Sequence, residues 1–215
     1  MLYSDACVYP YPSGDTTIRR LALEARYLGY GRVVCIGCET SGEYYGVSVL
    51  KGCLIHSSGF NDFRKILKKE CRGSDVIAAY AGDASFNRSV ISSGKVNILK
   101  GIERCDRRAF DDVSARYAAD KGVAMDIDLS AIISKSGYLR QKALTVYGDI
   151  LKFSRKYGFM LTISSGARSY PEMKGIREVE NICSLFGMSP DEVRRSLTSI
   201  ERILNPPENV EVISV

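Results

Sequence analysis

Apolar residues along the chain follow two periods that alternate with each other. Leu2 to Val8, Arg32 to Ile36, Gly52 to Ile55, Asp75 to Tyr80, Val96 to Leu99, Val123 to Ile127 and Met160 to Ile163 are short, strand-like runs. Val123-Ala124-Met125-Asp126-Ile127 is near-continuously apolar, as a strand covered on both faces should be. Between these runs the spacing is helical. Ile18, Leu21, Ala22 and Ala25 follow Asp15, a candidate N-cap, and stop at Gly29, and Phe60 to Lys69, Ser85 to Ser92 and Asp111 to Asp120 repeat the form. The longest helix is expected between Gly137 and Gly158, with Leu139, Ala143, Val146, Tyr147, Ile150 and Ser154 on one face and Arg140, Lys152 and Lys156 on the other. Ser189-Pro190-Asp191-Glu192 is a capping box with proline at the first helical position. Val193, Leu197 and Ile200 then form a stripe that Asn205-Pro206-Pro207 ends.

Strands alternating with helices define parallel βαβ units, and about seven strands point to a barrel more than to an open sheet. The expected fold is α/β, a distorted or incomplete (β/α) TIM-like barrel with about seven parallel strands. No Pro/Gly-rich linker, internal repeat or low-complexity tract divides the chain, so residues 1–215 read as a single domain.

Composition narrows the class. Hydrophobic residues make up 45% and charged residues 26%, and no apolar run approaches the ~18 residues of a membrane span, so no membrane partner is expected. The N-terminus lacks the basic-then-apolar order of a secretory signal, so the protein is expected in the cytosol and its seven cysteines are expected as thiols. Cys35 and Cys38 form the lone C-x-x-C. With no second ligand pair and His56 the only histidine, buried apolar cysteines are expected there and no zinc. No nucleotide-binding glycine motif occurs.

The net charge of +5 is unevenly spread. From Ala131 to Gly175 eight basic residues (Lys135, Arg140, Lys142, Lys152, Arg155, Lys156, Arg168, Lys174) face only Asp149 and Glu172, a net of +6. Such an excess is either a solvated helix face or a side that meets a polyanion.

Catalytic candidates are few at the strand ends, where a parallel barrel places its chemistry. Asp5, Asp126 and Asp128 stand in or at the ends of strands, and Asp126 and Asp128 share a face by alternation. They suit a hard cation, or else pair with basic neighbours and cap the next element. His56 has no second histidine to assist it. The loop Ser164-Ser165-Gly166-Ala167-Arg168 offers amides, hydroxyls and a guanidinium to a phosphate, or is only a tight strand-to-loop turn.

Several segments, taken in order, resemble one family. They are Asp126-Ile-Asp-Leu-Ser-Ala-Ile-Ile-Ser-Lys-Ser-Gly-Tyr-Leu-Arg140, Arg155-Lys-Tyr-Gly158, Leu161-Thr-Ile-Ser-Ser-Gly-Ala-Arg168, Arg177-Glu178 and Leu185-Phe-Gly-Met188. The chain resembles archaeal ribonuclease P protein component 3, the counterpart of the eukaryotic thirty-kilodalton subunit, most clearly from about Asn87 onward. That family is in turn distantly similar to metal-dependent phosphoesterases of the polymerase and histidinol phosphatase type, whose first strand carries His-x-His. Here Cys7 and Tyr9 occupy those places, and Gly37-Cys38 stands where the second strand of those enzymes tends to end in Asp-His. Without such ligands the bound-water nucleophile is lost.

The resemblance implies a particle that removes the 5′ leader of precursor tRNA, with its RNA subunit and magnesium performing the hydrolysis. This chain would bind no cofactor, carry no catalytic or metal-ligating residue, and join the RNA and a second small protein subunit. Arg88, Arg104, Arg140, Arg168, Lys174 and Arg177 lie in segments similar to the family's basic motifs and are expected to contact RNA phosphates. Arg88 and Arg177 have a structural alternative, pairing with an acid such as Asp111 or Glu178. Two other classes stand beside this one: an independent metal-dependent phosphoesterase, and a barrel enzyme acting on a small phosphorylated metabolite through the Ser164 loop. The first lacks its histidines and the second an acid–base pair.

Overall fold

The computed structural model describes residues 2–206. Its strands are β1 (Ser4–Val8), β2 (Arg32–Ile36), β3 (Gly42–Tyr44), β4 (Val47–Ile55), β5 (Val76–Tyr80), β6 (Ile98–Lys100), β7 (Ala124–Asp128) and β8 (Leu161–Ser164). Its helices are α1 (Ile18–Tyr27), α2 (Phe60–Glu70), α3 (Ala84–Ser92), α4 (Asp112–Lys121), α5 (Ser130–Ile133), α6 (Gly137–Tyr157), α7 (Ile176–Ser184), α8 (Pro190–Leu197) and α9 (Ser199–Leu204). Seven strands run parallel in the order β1-β2-β4-β5-β6-β7-β8, and β3 pairs antiparallel with β4. The expected distorted barrel is what forms. It closes between β8 and β1 through the loop after β8 rather than through a strand ladder: Gly166 N donates to Cys7 O at 3.1 Å and Tyr9 N to Ala167 O at 2.8 Å.

Alternation along the strands divides the core in two. Leu99, Met125, Ile127, Leu161 and Ile163 pack outward against helices, with Leu21, Phe63, Ile91 and Tyr147. Ala6, Val34, Leu50, Val76, Ala78, Ile98 and Ala124 line the inside, with Ile200 of α9 packed against them. Each fully buried Leu or Ile contributes roughly 1.5–3 kcal/mol. The interior is thus apolar at the end plugged by α9 and polar at the other, where the strands end.

Several local expectations are corrected. The N-cap of α1 is Thr17, whose hydroxyl accepts from Arg20 N at 3.3 Å. Asp15 is held two residues earlier by its own N–H on Arg168 O. The stripe after Ser189 is two helices broken at Thr198, so Ile200 belongs to α9; Pro207 of the terminating motif lies outside the described residues. Leu139 is 56% exposed rather than on the buried face of α6. Not all cysteines are thiols: Cys53 on β4 and Cys71 after α2, with Cα atoms 5.3 Å apart, are joined as a disulfide. The strand–helix–turn between them brings them together, which their spacing alone did not reveal.

Candidate functional site

The polar end of the barrel interior is organised by Lys100. β6 ends on this residue, whose side chain is 2% exposed among strands β6, β7 and β8. Its three ammonium protons have three acceptors: Asp126 Oδ2 at 2.6 Å, Asp128 Oδ2 at 2.8 Å and Ser164 Oγ at 2.7 Å. Thr162 Oγ1 donates to Asp126 Oδ1 at 2.9 Å, and Ser130 N and Oγ donate to Asp128 Oδ1 at 2.9 and 2.6 Å. Burial works to lower the ammonium's pKa, but Asp126 and Asp128 hold it well above its usual value. Desolvation likewise works to raise the Asp128 carboxyl, and Lys100 reverses this and lowers it. Asp126 and Asp128 do share a face, as alternation requires, and an internal cation satisfies both.

Asp5 is the third acid. Its Oδ1 accepts from Cys7 N at 3.2 Å and Ser165 N at 3.0 Å, whereas its buried Oδ2 has no partner. Burial raises its pKa from 3.8 to about 6, against the lowering effect of the two amides, and the Asp126 charge adds to the rise. With the folded value above the unfolded one, this group's stabilising contribution is complete below pH 3.8 and is lost as pH rises through about 6. Asp5→Asn keeps the acceptor and removes the charge. It is expected to stabilise the protein by about 3 kcal/mol or less at pH 8, seen as a higher melting temperature, and to have little effect at pH 4, as read by thermal melts at the two pH values.

The Ser164 loop is a turn and not a free phosphate cradle. Ser164 and Ser165 point into the network, and four successive amides are spent inside the protein. Ser165 N donates to Asp5, Gly166 N to Cys7 O, Ala167 N to Ser165 Oγ and Arg168 N to Glu172 Oε2. Gly166 has φ +65°, and a Cβ there would lie 2.7 Å from Asp128 Oδ1, so only glycine fits. Gly14 is as tightly enclosed, with an added Cβ 2.2 Å from Arg168 O, and this contact seats Arg168 at the rim.

Around the strand ends lies a second layer that sequence reading did not assemble. Tyr9 and Tyr80 face each other, hydroxyl to hydroxyl at 3.4 Å. Arg168 lies 4.5 Å from the Tyr9 ring centroid, Arg104 5.0 Å from that of Tyr80, and exposed His56 meets Tyr80 edge-on at 5.6 Å. Tyr9 therefore helps close the mouth of the barrel. Cys38 Sγ donates to Cys35 O at 3.3 Å, and both cysteines are buried. Among the described residues, no group of three or more His, Cys, Asp or Glu side chains is arranged to hold a metal ion.

The six expected RNA contacts divide by position. Arg104 follows β6, Arg140 opens α6 after β7, and Arg168, Lys174 and Arg177 follow β8, so these five lie on the segments leaving the strand C-termini. Arg88 stands apart within α3, 44% exposed and bridged to Asp111, so its structural alternative is the one observed. Arg104 is 62% exposed and touches Glu103 Oε1 at 3.3 Å. Arg140 donates to Lys135 O, Arg168 to Ser13 O and Lys174 to Pro171 O. Carbonyls position these cations without neutralising them. Arg177 is exposed and forms no side-chain bond among the described residues.

The excess positive charge sorts the same way. Lys152, Arg155 and Lys156, in the second half of α6, are paired with Asp149, Glu192 and Asp112. Lys135, Arg140, Lys142, Arg168 and Lys174 have no acidic partner among the described residues, and all lie on the strand-end side.

The chain is a TIM-like barrel of parallel strands whose strand-end side is closed by a lysine–aspartate cage and an arginine–tyrosine rim and bordered by cations that no acid neutralises among the described residues. The chain belongs to the RNase P subunit p30 family, whose model matches residues 2–209. It is 30% identical over 195 residues to ribonuclease P protein component 3 of Methanothermobacter thermautotrophicus, a match covering 84% of this chain and 80% of the relative. Its fold is similar to a chain in the cryo-EM structure of archaeal ribonuclease P with mature tRNA (TM-score 0.76, 18% identity, 98% and 96% of the two chains). It is less similar to histidinol phosphate phosphatase from Lactococcus lactis (TM-score 0.56, 10% identity, 86% and 94%), a complex with zinc, L-histidinol and phosphate. The chain is a protein subunit of ribonuclease P, the tRNA-processing endoribonuclease.

Proposed function

We propose that this chain supports the RNA of the particle through its strand-end rim and performs no bond cleavage itself. The observation that carries this reading is the grouping of Lys135, Arg140, Lys142, Arg168 and Lys174, unpaired with acids among the described residues, on one end of the barrel. Folding RNA elements against each other brings phosphates together, and cations held by carbonyls at fixed positions lower that repulsion. Hydrolysis of precursor tRNA then falls to the RNA subunit and its magnesium. The interior network supplies rigidity in place of chemistry: Lys100 satisfies both carboxylates that would otherwise be free to act as a base or hold a metal.

A second small protein subunit completes the proposed assembly, and the cytosol is its proposed location. The test is to purify the tagged chain from its own cells and sequence what accompanies it. Enrichment of one structured RNA together with precursor tRNA is expected. Recovery free of RNA, or with a phosphorylated metabolite alone, would overturn the reading.

A further inference from the structure

Beside the rim, a pocket of about 490 Å³ opens between the turn after β6, α5 and the first turns of α6. That volume lies within the ~300–1,000 Å³ of small-ligand sites. Three cations border it, Arg104, Lys135 and Lys142. Lys142 donates only to Arg104 O, at 3.3 Å, and Lys135 makes no side-chain bond among the described residues. One wall carries Leu139, an apolar side chain left 56% exposed. Glu103 also lines the pocket, its side chain 6% exposed: Oε1 receives a long contact from Arg104 at 3.3 Å, and buried Oε2 has no hydrogen-bond partner among the described residues. Burial raises this carboxyl above its ordinary range.

A bare phosphate would use the cations and be repelled by Glu103. An apolar ligand would use Leu139 and leave the cations idle. The lining asks for one molecule with an anionic end, a flat apolar face and a hydrogen-bond donor. We infer that this pocket receives a single unstacked nucleotide of RNA whose base bears an exocyclic amino group. The phosphate lies against Lys135, Lys142 and Arg104, the base face lies on Leu139, and the amino group donates to the Glu103 carboxyl. Uracil is disfavoured because its imino N–H is flanked by two carbonyl oxygens that would face the carboxylate.

The inference rests on the RNA-supporting role proposed above, and two measurements separate them. In the first, the full chain is titrated with 5′-CMP, 5′-UMP and inorganic phosphate at physiological salt while backbone amide chemical shifts are followed. 5′-CMP is expected to shift Glu103, Arg104, Ser134 and Leu139 and to bind about tenfold more tightly than 5′-UMP. Glu103→Gln should erase that preference. Lys135→Ala, an exposed change that leaves the fold intact, should weaken both nucleotides by a similar factor. Equal affinity for the two nucleotides, a preference that survives Glu103→Gln, or inorganic phosphate binding as tightly as 5′-CMP would overturn the assignment. In the second, the particle's RNA is retained on filters by the same protein. If RNA is retained while the pocket amides stay unshifted by nucleotides, the pocket falls and the RNA-supporting role stands. If no RNA is retained, the role falls and the pocket with it.

Discussion

Lys100→Met is expected to destabilise the protein by about 3–5 kcal/mol, lowering the melting temperature by about 10 °C or more. Methionine fills much of the same volume, so the loss is electrostatic: Asp126 and Asp128 would remain buried, at 1% and 3% exposure, with no cation between them. Desolvation of the Asp128 carboxyl would then go unopposed and push it upward, so the cost grows as pH rises and the variant should be more crippled at pH 8 than at pH 5. Adding Asp126→Asn and Asp128→Asn removes the stranded charges and should recover most of the stability, since replacing a whole buried ion cluster by neutral groups is far cheaper than removing one member. Thermal melts of the single and triple variants at both pH values check this. A Lys100→Met protein that melts within two degrees of the parent, or a triple variant no better than the single one, would show that the cage does not hold the barrel end.

The combined Arg168→Ala, Lys174→Ala and Arg177→Ala substitution is expected to cut precursor-tRNA cleavage by the reconstituted particle about tenfold or more at physiological salt, while each single change costs only a few-fold. On the proposed reading each cation makes a screened phosphate contact, so losing three should lower the slope of log affinity against log salt by about two to three. Moderate extra magnesium should restore part of the activity, because it replaces diffuse charge. The protein should still fold, since Arg168 and Lys174 donate to carbonyls at the rim, Arg177 is exposed, and none of the three forms a buried ion pair among the described residues. Arg88→Ala should behave differently, because its bridge to Asp111 joins α3 to the start of α4: it is expected to shift the melt and to leave the salt slope unchanged. Full activity of the triple variant at physiological salt would remove RNA from this face.

The βαβ order was legible because each strand is a compact apolar run and each helix has its own stop, as Gly122 and Gly158 show at φ +66° and +78°. What escaped was short or depended on tertiary contact. β3 pairs only through Gly42–Tyr44, and α5 is a single turn. The strand expected to end at Leu99 runs one residue further, and that residue is Lys100. A lysine closing an apolar strand, with Asp-x-Asp two elements later, was the available signal for the cage, but only the register of β6 on β7 brings them together, with Leu99 opposite Met125. The six basic positions came from resemblance; periodicity could not distinguish Lys156, neutralised by Asp112, from Lys135, which forms no ion pair among the described residues. The rim of Tyr9, Tyr80, Arg104 and Arg168 joins residues from four separate loops and strand ends, and no local pattern encodes it.

Incubating precursor tRNA with the purified RNA-free chain and, separately, magnesium, manganese and zinc, beside the same chain reconstituted with the particle's RNA and protein partners, tests the central claim most directly. The account predicts no cleavage by the chain alone with any of the metals and accurate 5′-leader removal once the RNA is present. Metal-dependent release of the leader by the RNA-free protein would contradict it.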